Sequence, residues 1–277
     1  MFELALCNEL LAEDGLSLDE QCAAAAALGY CGLELAPGTL SPRPHEIDRG
    51  QAQEIRHLVE AHGLRITGLH WLLAPYPDLS ITDPARSTET RKVLIGLVEL
   101  CAALGGMVLV HGSPGQRVPP AGVRPEETMA SVAEFFWPIA EAAEQAGLTY
   151  CIEPLAPSET PFLNTVEEAA QLVNEVGNPA FRTMIDTSAA AQSENIPVSE
   201  LIRRWVPTGF VGHIHVNESS RGAPGTGSDP FPDIVKAILD VGWDRSVSVE
   251  PFKRVISGTV TAAIGAATMR ACAQAAR

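Results

Sequence analysis

The chain repeats one pattern of hydrophobic and polar positions from end to end. A segment with helical periodicity ends at a glycine, and a short, nearly continuous apolar run follows within a few residues. Glycine is expected just past a helix end because it adopts the left-handed conformation at little cost. Apolar runs of this length are typical of parallel strands that are buried on both faces. The glycines are Gly29, Gly63, Gly105, Gly147, Gly177, Gly209 and Gly242.

The pattern predicts eight strands that alternate with eight helices. Two helices open with a capping box, Ser17 with Glu20 and Thr165 with Glu168, and Pro138 should kink or divide the helix that contains it. The predicted strands are residues 3–7, 31–36, 65–71, 107–111, 149–153, 182–186, 211–217 and 246–250. The predicted helices are residues 17–28, 45–62, 87–104, 126–146, 165–176, 198–206, 232–241 and 259–275.

Eight strand–helix units without a linker predict an α/β fold, a single closed (β/α)₈ barrel. The length of 277 residues suits one such barrel, so residues 1–277 are expected to form a single domain. An open, doubly wound sheet is the alternative. Such a sheet would normally have fewer units, and no G-x-G-x-x-G loop follows the first predicted strand.

The composition excludes several classes of function. The net charge of −15 comes without the basic stripe that usually marks nucleic-acid binding, so nucleic acid is not an expected partner. No apolar stretch is long enough and free enough of charge to span a membrane. The six cysteines are widely spaced, without a C-x-x-C pair, which favours buried thiols in a reducing compartment. Since no signal peptide is visible, we expect a cytoplasmic protein.

Polar residues follow the last four predicted strands, at the barrel rim where active sites lie. Those strands end in Glu153, in Asp186, in His213 and His215, and in Glu250. Three converging carboxylates would repel each other, and a divalent cation removes that penalty. Three carboxylates with one imidazole suit Mn²⁺, Mg²⁺ or Co²⁺, with open positions for adjacent oxygens of a small sugar. Alternation places both histidines on one face, so the pattern leaves open which of them is a ligand.

Two earlier strands also end in side chains that suit a binding site. The third predicted strand ends in His70 and Trp71, and the fourth ends in His111. Rim positions make these residues candidate substrate contacts, aromatic walls or hydrogen-bond donors to the metal ligands.

The residues after the seventh strand carry a resemblance to a known family. Residues 213–225 match the motif H-x-H-x-x-E-x-x-R-x-x-P-G. The chain thereby resembles the xylose isomerase-like TIM barrels, the sugar phosphate isomerase/epimerase superfamily, and especially the ketose 3-epimerases of the tagatose and psicose (allulose) type. The likeness covers nearly the whole chain and is strongest in its C-terminal half.

The resemblance implies a function for the rim residues. It implies that Glu153, Asp186, His215 and Glu250 bind a divalent metal, with Mn²⁺ as the first candidate. Glu153 and Glu250 would also move the substrate proton through a cis-enediolate, in an isomerase or epimerase of a small ketose. Family members often form homodimers or homotetramers. The remaining implied substrate contacts are Glu159 and Arg221.

The chain departs from the family at one position. The epimerases usually place a substrate-contacting histidine three residues after the metal-binding aspartate, where this chain has Ala189. Hydroxypyruvate-type isomerisation and β-elimination from a keto-glycoside therefore remain alternatives, as does a non-catalytic sugar-binding barrel. The related endonuclease IV-like DNA-repair barrels need more histidine and acidic ligands and a basic surface, which seven histidines and a charge of −15 do not offer.

Overall fold

The computed structural model describes residues 2–276, with the backbone alone at residues 125 and 126. Eight parallel strands close into a barrel in sequence order, and the eighth strand pairs with the first. The predicted α/β class and closed barrel are confirmed, and the doubly wound alternative is wrong. That residues 1–277 form one domain stays a prediction. The strands are β1 Glu3–Cys7, β2 Gly32–Leu35, β3 Arg65–His70, β4 Val108–His111, β5 Thr149–Ile152, β6 Phe181–Asp186, β7 Val211–Val216 and β8 Ser246–Val249.

Between residues 2 and 276, ten α-helices surround the strands or lie in the loops above them. Two short helices, the first and the seventh, follow β1 and β6 directly and were not predicted. Short 3₁₀ turns occupy Pro37–Thr39, Pro44–Glu46, Gly115–Arg117 and Val206–Thr208. The α-helices are α1 Glu9–Glu13, α2 Leu18–Ala27, α3 Arg49–Ala61, α4 Ser87–Leu104, α5 Pro125–Gln145, α6 Val166–Val176, α7 Thr187–Ser193, α8 Val198–Trp205, α9 Phe231–Asp240 and α10 Gly258–Ala275.

Capping residues explain where several helices begin. The predicted capping boxes at Ser17 and Thr165 are both formed. A third box, of Asp48 with Gln51, starts α3 later than the prediction for residues 45–62, because Asp48 satisfies the free N–H groups of the first turn. Pro138 does not divide the helix, because α5 continues through that residue, and the alternative of a kink stays a prediction.

The lengths of the helices and the state of the cysteines bear on two of the predictions from sequence. Within residues 2–276, each helix is too short or too polar to cross a membrane. All six cysteines are free thiols, and four of them are buried. The thiols therefore pack in the protein instead of cross-linking it.

The two faces of the closed sheet differ in character. Apolar side chains such as Leu33, Leu109 and Ile214 are completely buried between the sheet and the helices. Towards the carboxyl ends of the strands, completely buried Glu34 and His215 instead form hydrogen bonds inside the barrel. The closed sheet thus presents a polar layer directly below the rim that carries the candidate site.

Candidate metal centre and active site

The structure brings together the four residues that the sequence selected as metal ligands. Glu153, Asp186, His215 and Glu250 each offer one ligand atom, and these atoms all lie within 4.8 Å of one another. Each residue stands at the carboxyl end of a different strand, from β5 to β8. All four are buried. Closure of the barrel therefore converts four positions spread over 98 residues of sequence into one compact cluster.

Local backbone geometry holds the aspartate in this cluster. Asp186 ends β6 and caps α7, and its Oδ1 accepts a hydrogen bond of 2.7 Å from the backbone N–H of Ala189. Its Oδ2 accepts a second bond of 2.8 Å from Nδ2 of Asn217, which also donates to the backbone carbonyl of Glu250. Asn217 thus ties the ends of β6, β7 and β8 together at the cluster.

Burial and mutual repulsion shift the protonation of the cluster. Burial, together with Glu250 and Asp186, raises the pKa of Glu153 well above its usual value. Burial and Glu250 raise the pKa of Asp186 to about 7. For His215, burial favours the neutral form, but Glu250 and Glu34 outweigh it and raise the pKa well above normal. The cluster therefore retains protons at neutral pH that a bound cation would displace.

The donor set fits a divalent cation. Nδ1 of His215 and Oε2 of Glu250 lie 3.1 Å apart without forming a hydrogen bond. Both atoms are buried, and neither has a hydrogen-bond partner among the described residues. Adjacent ligands in an octahedral shell with metal–ligand distances near 2.1 Å are separated by about 3 Å. One imidazole nitrogen and three carboxylates are a donor set that suits Mn²⁺, Mg²⁺ or Co²⁺.

The two histidines of β7 take different positions. His215 belongs to the four-residue cluster, whereas His213 lies deeper in the barrel and donates a bond of 2.7 Å to Glu34. Glu34, on β2, also accepts bonds from His215 and Ser248. Sequence analysis missed Glu34, although a single carboxylate in the apolar run of residues 31–36 was a usable signal.

A cavity opens above the cluster, and its wall contains three of the predicted substrate contacts: Trp71, Glu159 and Arg221. The Arg221 guanidinium forms an ion pair with Glu159 and lies 4.3 Å from the ring centre of Phe252. Trp71 meets Phe252 edge to face. Trp71 and Arg221 have φ values of 53° and 71°, a strained conformation that is concentrated at functional sites.

The other two predicted substrate contacts lie behind the cavity wall. His70 and His111 are completely buried and do not line the cavity. Nε2 of His70 bonds to Glu9 and lies 4.0 Å from a carboxylate oxygen of Glu250. Nδ1 of His111 lies 2.8 Å from the hydroxyl of Tyr150. Substrate contact by these two histidines stays a prediction.

Arg117 was missed by sequence analysis and supports the fourth and fifth strands. It is completely buried, and its guanidinium donates bonds of 2.6 Å to the backbone carbonyls of His111 and Glu153. These carbonyls stand at the ends of neighbouring strands, so one side chain fixes both strand ends. No local motif marks such a role, because Arg117 reaches across 36 residues of sequence to Glu153.

Gly112 leaves room for the carboxylate of Glu153. A Cβ atom built on Gly112 would overlap Oε2 of Glu153 and lie 2.9 Å from its carboxyl carbon. We expect Gly112→Ala to displace this carboxylate. Because Glu153 is predicted to move the substrate proton, turnover should fall about 100-fold, the usual effect of misplacing a reacting group by about 1 Å. Steady-state kinetics and Mn²⁺ titration measure the effect.

Gly115→Ala is the matched control for this substitution. Gly115 lies three residues away, where an added Cβ meets no atom within 4 Å. The control should retain wild-type turnover and metal affinity. Equal kinetics for the wild type and Gly112→Ala would contradict the assigned role of Gly112.

Comparison with known proteins agrees with this architecture. The sequence pattern of the family described as "xylose isomerase-like TIM barrel" matches residues 22–272. A D-psicose 3-epimerase of Ruminiclostridium cellulolyticum is 30% identical over 243 residues, which cover 85% of this chain and 78% of the relative. A putative hydroxypyruvate isomerase of Streptomyces coelicolor is 29% identical over 249 residues, 85% of each chain. The predicted resemblance is thereby confirmed.

A solved structure supports the fold over the whole chain. The structure of a D-psicose 3-epimerase with D-tagatose, from Clostridium cellulolyticum, superposes with a TM-score of 0.79 at 22% identity. The superposition covers 99% of this chain and 96% of that protein. At this level of identity, the likeness concerns the arrangement of strands and helices.

Proposed function

The chain belongs to the xylose isomerase-like TIM barrel family, and from this premise we propose that it is a divalent-metal-dependent isomerase or epimerase of a small ketose. Relatives at similar identity are named sugar epimerases and isomerases, so an enzyme that acts on sugars is supported over a non-catalytic sugar-binding barrel. The observation that carries the proposal is the buried cluster of three carboxylates and one imidazole at the floor of the cavity. Mn²⁺ is the proposed ion.

Two glutamates of the cluster are the proposed acid and base. Glu153, Asp186, His215 and Glu250 would hold a divalent ion, which would supply a Lewis acid for the substrate carbonyl. One glutamate removes the proton from the carbon next to that carbonyl, and a cis-enediolate forms. The other glutamate returns a proton to the opposite face and inverts this carbon. Return to the neighbouring carbon instead would produce aldose–ketose isomerisation.

The positions of the two glutamates suit the proposed roles of acid and base. Glu153 follows β5 and Glu250 follows β8, so the two carboxylates reach the cluster from strands that are three apart in the barrel. Both side chains also line the cavity. A substrate above the ion can therefore meet a carboxylate from two directions.

Charges on the cavity wall favour an uncharged sugar. The wall carries four carboxylates, whereas its cation, Arg221, is already paired with Glu159. Even with a divalent ion bound, this surface remains negative when the carboxylates are ionised. A phosphate or a substrate carboxylate would therefore meet net repulsion. An unphosphorylated ketose avoids this cost.

Solvent-deuterium incorporation tests the reaction. A panel of unphosphorylated ketoses and keto-acids is incubated in D₂O with Mn²⁺, and again after treatment with EDTA. We expect metal-dependent labelling at the carbon next to the carbonyl of at least one ketose, detected by NMR. Label on the inverted carbon indicates epimerisation, and label on the neighbouring carbon indicates isomerisation. Absence of label from every ketose with metal bound would contradict the proposal.

Hydroxypyruvate-type isomerisation is the second candidate. The similarity to a putative hydroxypyruvate isomerase favours it. The departure from the epimerase pattern also bears on this choice, because Ala189 lies on the cavity wall with no imidazole to offer the substrate. Labelling of hydroxypyruvate but of no ketose would select this reaction. Release of an aglycone from a keto-glycoside would select β-elimination. The homodimer or homotetramer stays a prediction.

A further inference from the structure

A buried network of hydrogen bonds lies directly beneath the proposed metal centre. Its hub is Glu34, which is completely buried inside the barrel. Oε2 of Glu34 accepts bonds of 2.7 Å from Nε2 of His213 and 2.6 Å from the hydroxyl of Ser248. Oε1 accepts a bond of 2.9 Å from Nε2 of His215. One carboxylate thus connects β2 with β7 and β8 across the barrel.

This network determines which nitrogen of His215 can bind a metal. An ionised carboxylate only accepts hydrogen bonds, so Nε2 of His215 must carry the proton that it donates to Glu34. A metal ligand requires the neutral ring, in which Nδ1 then keeps its lone pair. Nδ1 is buried, has no hydrogen-bond partner within the described part of the chain, and lies 3.1 Å from Oε2 of Glu250. The free lone pair therefore belongs to the atom beside the other proposed ligands.

The orientation of Glu34 is itself constrained from both sides. His213 and Ser248 hold one carboxylate oxygen, which leaves the other oxygen for His215. A carboxylate in this position has little freedom to rotate away from His215.

We propose that Glu34 is a positioning residue of the metal centre, holding the His215 ring in the orientation and tautomer that present Nδ1 to the ion. This inference rests on the proposed metal-dependent function. Hydrogen-bond acceptors behind a ligating histidine fix its ring, and their removal typically lowers metal affinity about 10–100-fold. His213, which the sequence could not distinguish from His215, acts here as a support of Glu34.

Two substitutions of Glu34 test whether this residue positions His215 or acts only through its negative charge. In Glu34→Gln, an amide nitrogen replaces one carboxylate oxygen and donates hydrogen bonds instead of accepting them. The glutamine side chain therefore cannot accept hydrogen bonds from His215 and from the His213–Ser248 pair at the same time. Glu34→Asp keeps the charge but withdraws the carboxylate by one methylene. We expect both variants to bind Mn²⁺ about 10–100-fold more weakly in calorimetric titrations of metal-stripped protein. The absorption spectrum of bound Co²⁺ should also change.

Asp19→Asn is the control. Asp19 is another carboxylate bonded to a histidine, His62, but Asp19 is exposed and His62 is not in the four-residue cluster. This variant should bind Mn²⁺ within about threefold of the wild type and retain the Co²⁺ spectrum, because its histidine is not a proposed ligand. Thermal unfolding of the metal-free proteins establishes that each variant is folded.

The outcomes distinguish a failure of this inference from a failure of the proposed metal-dependent function. If Glu34→Asp binds Mn²⁺ with wild-type affinity and Glu34→Gln does not, Glu34 acts only through its charge, and the proposed positioning role is overturned. An equal loss in Asp19→Asn would overturn it as well. A wild-type protein that binds no Mn²⁺ would overturn the proposed metal-dependent function first, and the role of Glu34 with it.

Discussion

Replacing Glu153 or Glu250 with glutamine is expected to lower ketose turnover by a factor of about 10²–10⁴, the usual contribution of a positioned acid or base. Glutamine keeps the size of the side chain and an oxygen that can face the cavity, but it cannot take up or release the substrate proton. Both side chains lie at the cavity floor within the cluster. Steady-state kinetics at saturating Mn²⁺ measure the loss.

A control and a second readout make this result specific. Glu99→Gln changes an exposed glutamate on α4, outside the cavity, and should leave turnover unaltered. Mn²⁺ titration of each variant shows whether the site still binds the ion, since both glutamates are also proposed ligands. A metal-loaded Glu153→Gln or Glu250→Gln protein that retains wild-type turnover would exclude that glutamate from proton transfer.

Metal removal is the second change with a large expected effect. Stripping with EDTA should abolish turnover, and Mn²⁺ should restore it, because the proposed chemistry requires a Lewis acid. The ion should also stabilise the fold, since it binds a cluster that exists only in the folded chain. At a concentration 100 times the dissociation constant, linkage gives about 2.7 kcal/mol, or a rise in Tm of roughly 5–10 °C for a chain of this size.

The pH dependence of stability should differ between the metal-free and metal-bound protein. The pKa of Asp186 is raised from 3.8 to about 7, so the folded state binds this proton more tightly than the unfolded state. Asp186 therefore contributes stability below about pH 4 that is lost as the pH rises through about 7. Mn²⁺ competes with this proton, so the gain in Tm from Mn²⁺ should grow between pH 5 and 8.

Thermal unfolding with EDTA or Mn²⁺ across this range checks the prediction. Ca²⁺ at the same concentration is a useful comparison, because it prefers more oxygen ligands at longer distances. The same Tm with EDTA and Mn²⁺ at every pH, together with turnover that survives EDTA, would exclude a functional metal at this cluster.

The sequence by itself determined the barrel and the outline of its site. Repetition of helix, glycine and apolar run is a local signal, and the chirality of strand–helix–strand units leaves few ways to assemble eight of them. In a closed parallel barrel, all strands present their carboxyl ends at one rim. The last residues of the predicted strands therefore indicated Glu153, Asp186 and Glu250 as site residues without any information about tertiary contacts.

Local signals also set the limits of what could be predicted. Helix starts depend on single capping residues, which is why the capping boxes at Ser17 and Thr165 were recognised from spacing alone. The alternation of side chains along β7 predicted that His213 and His215 lie on one face, but it did not predict which of them lies deeper in the barrel. The family motif selected His215, and the structure places this histidine with the three carboxylates.

Only the tertiary structure decided which side chains support the site and which line it. Glu34 meets His215 across 181 residues of sequence, and Arg117 meets the carbonyl of Glu153 across 36. Likewise, the rim positions of His70 and His111 could not show that both rings are buried behind the wall. Periodicity gives the face of a strand on which a residue lies. The partner that it meets there depends on how the closed sheet brings distant strands together, which no local pattern encodes.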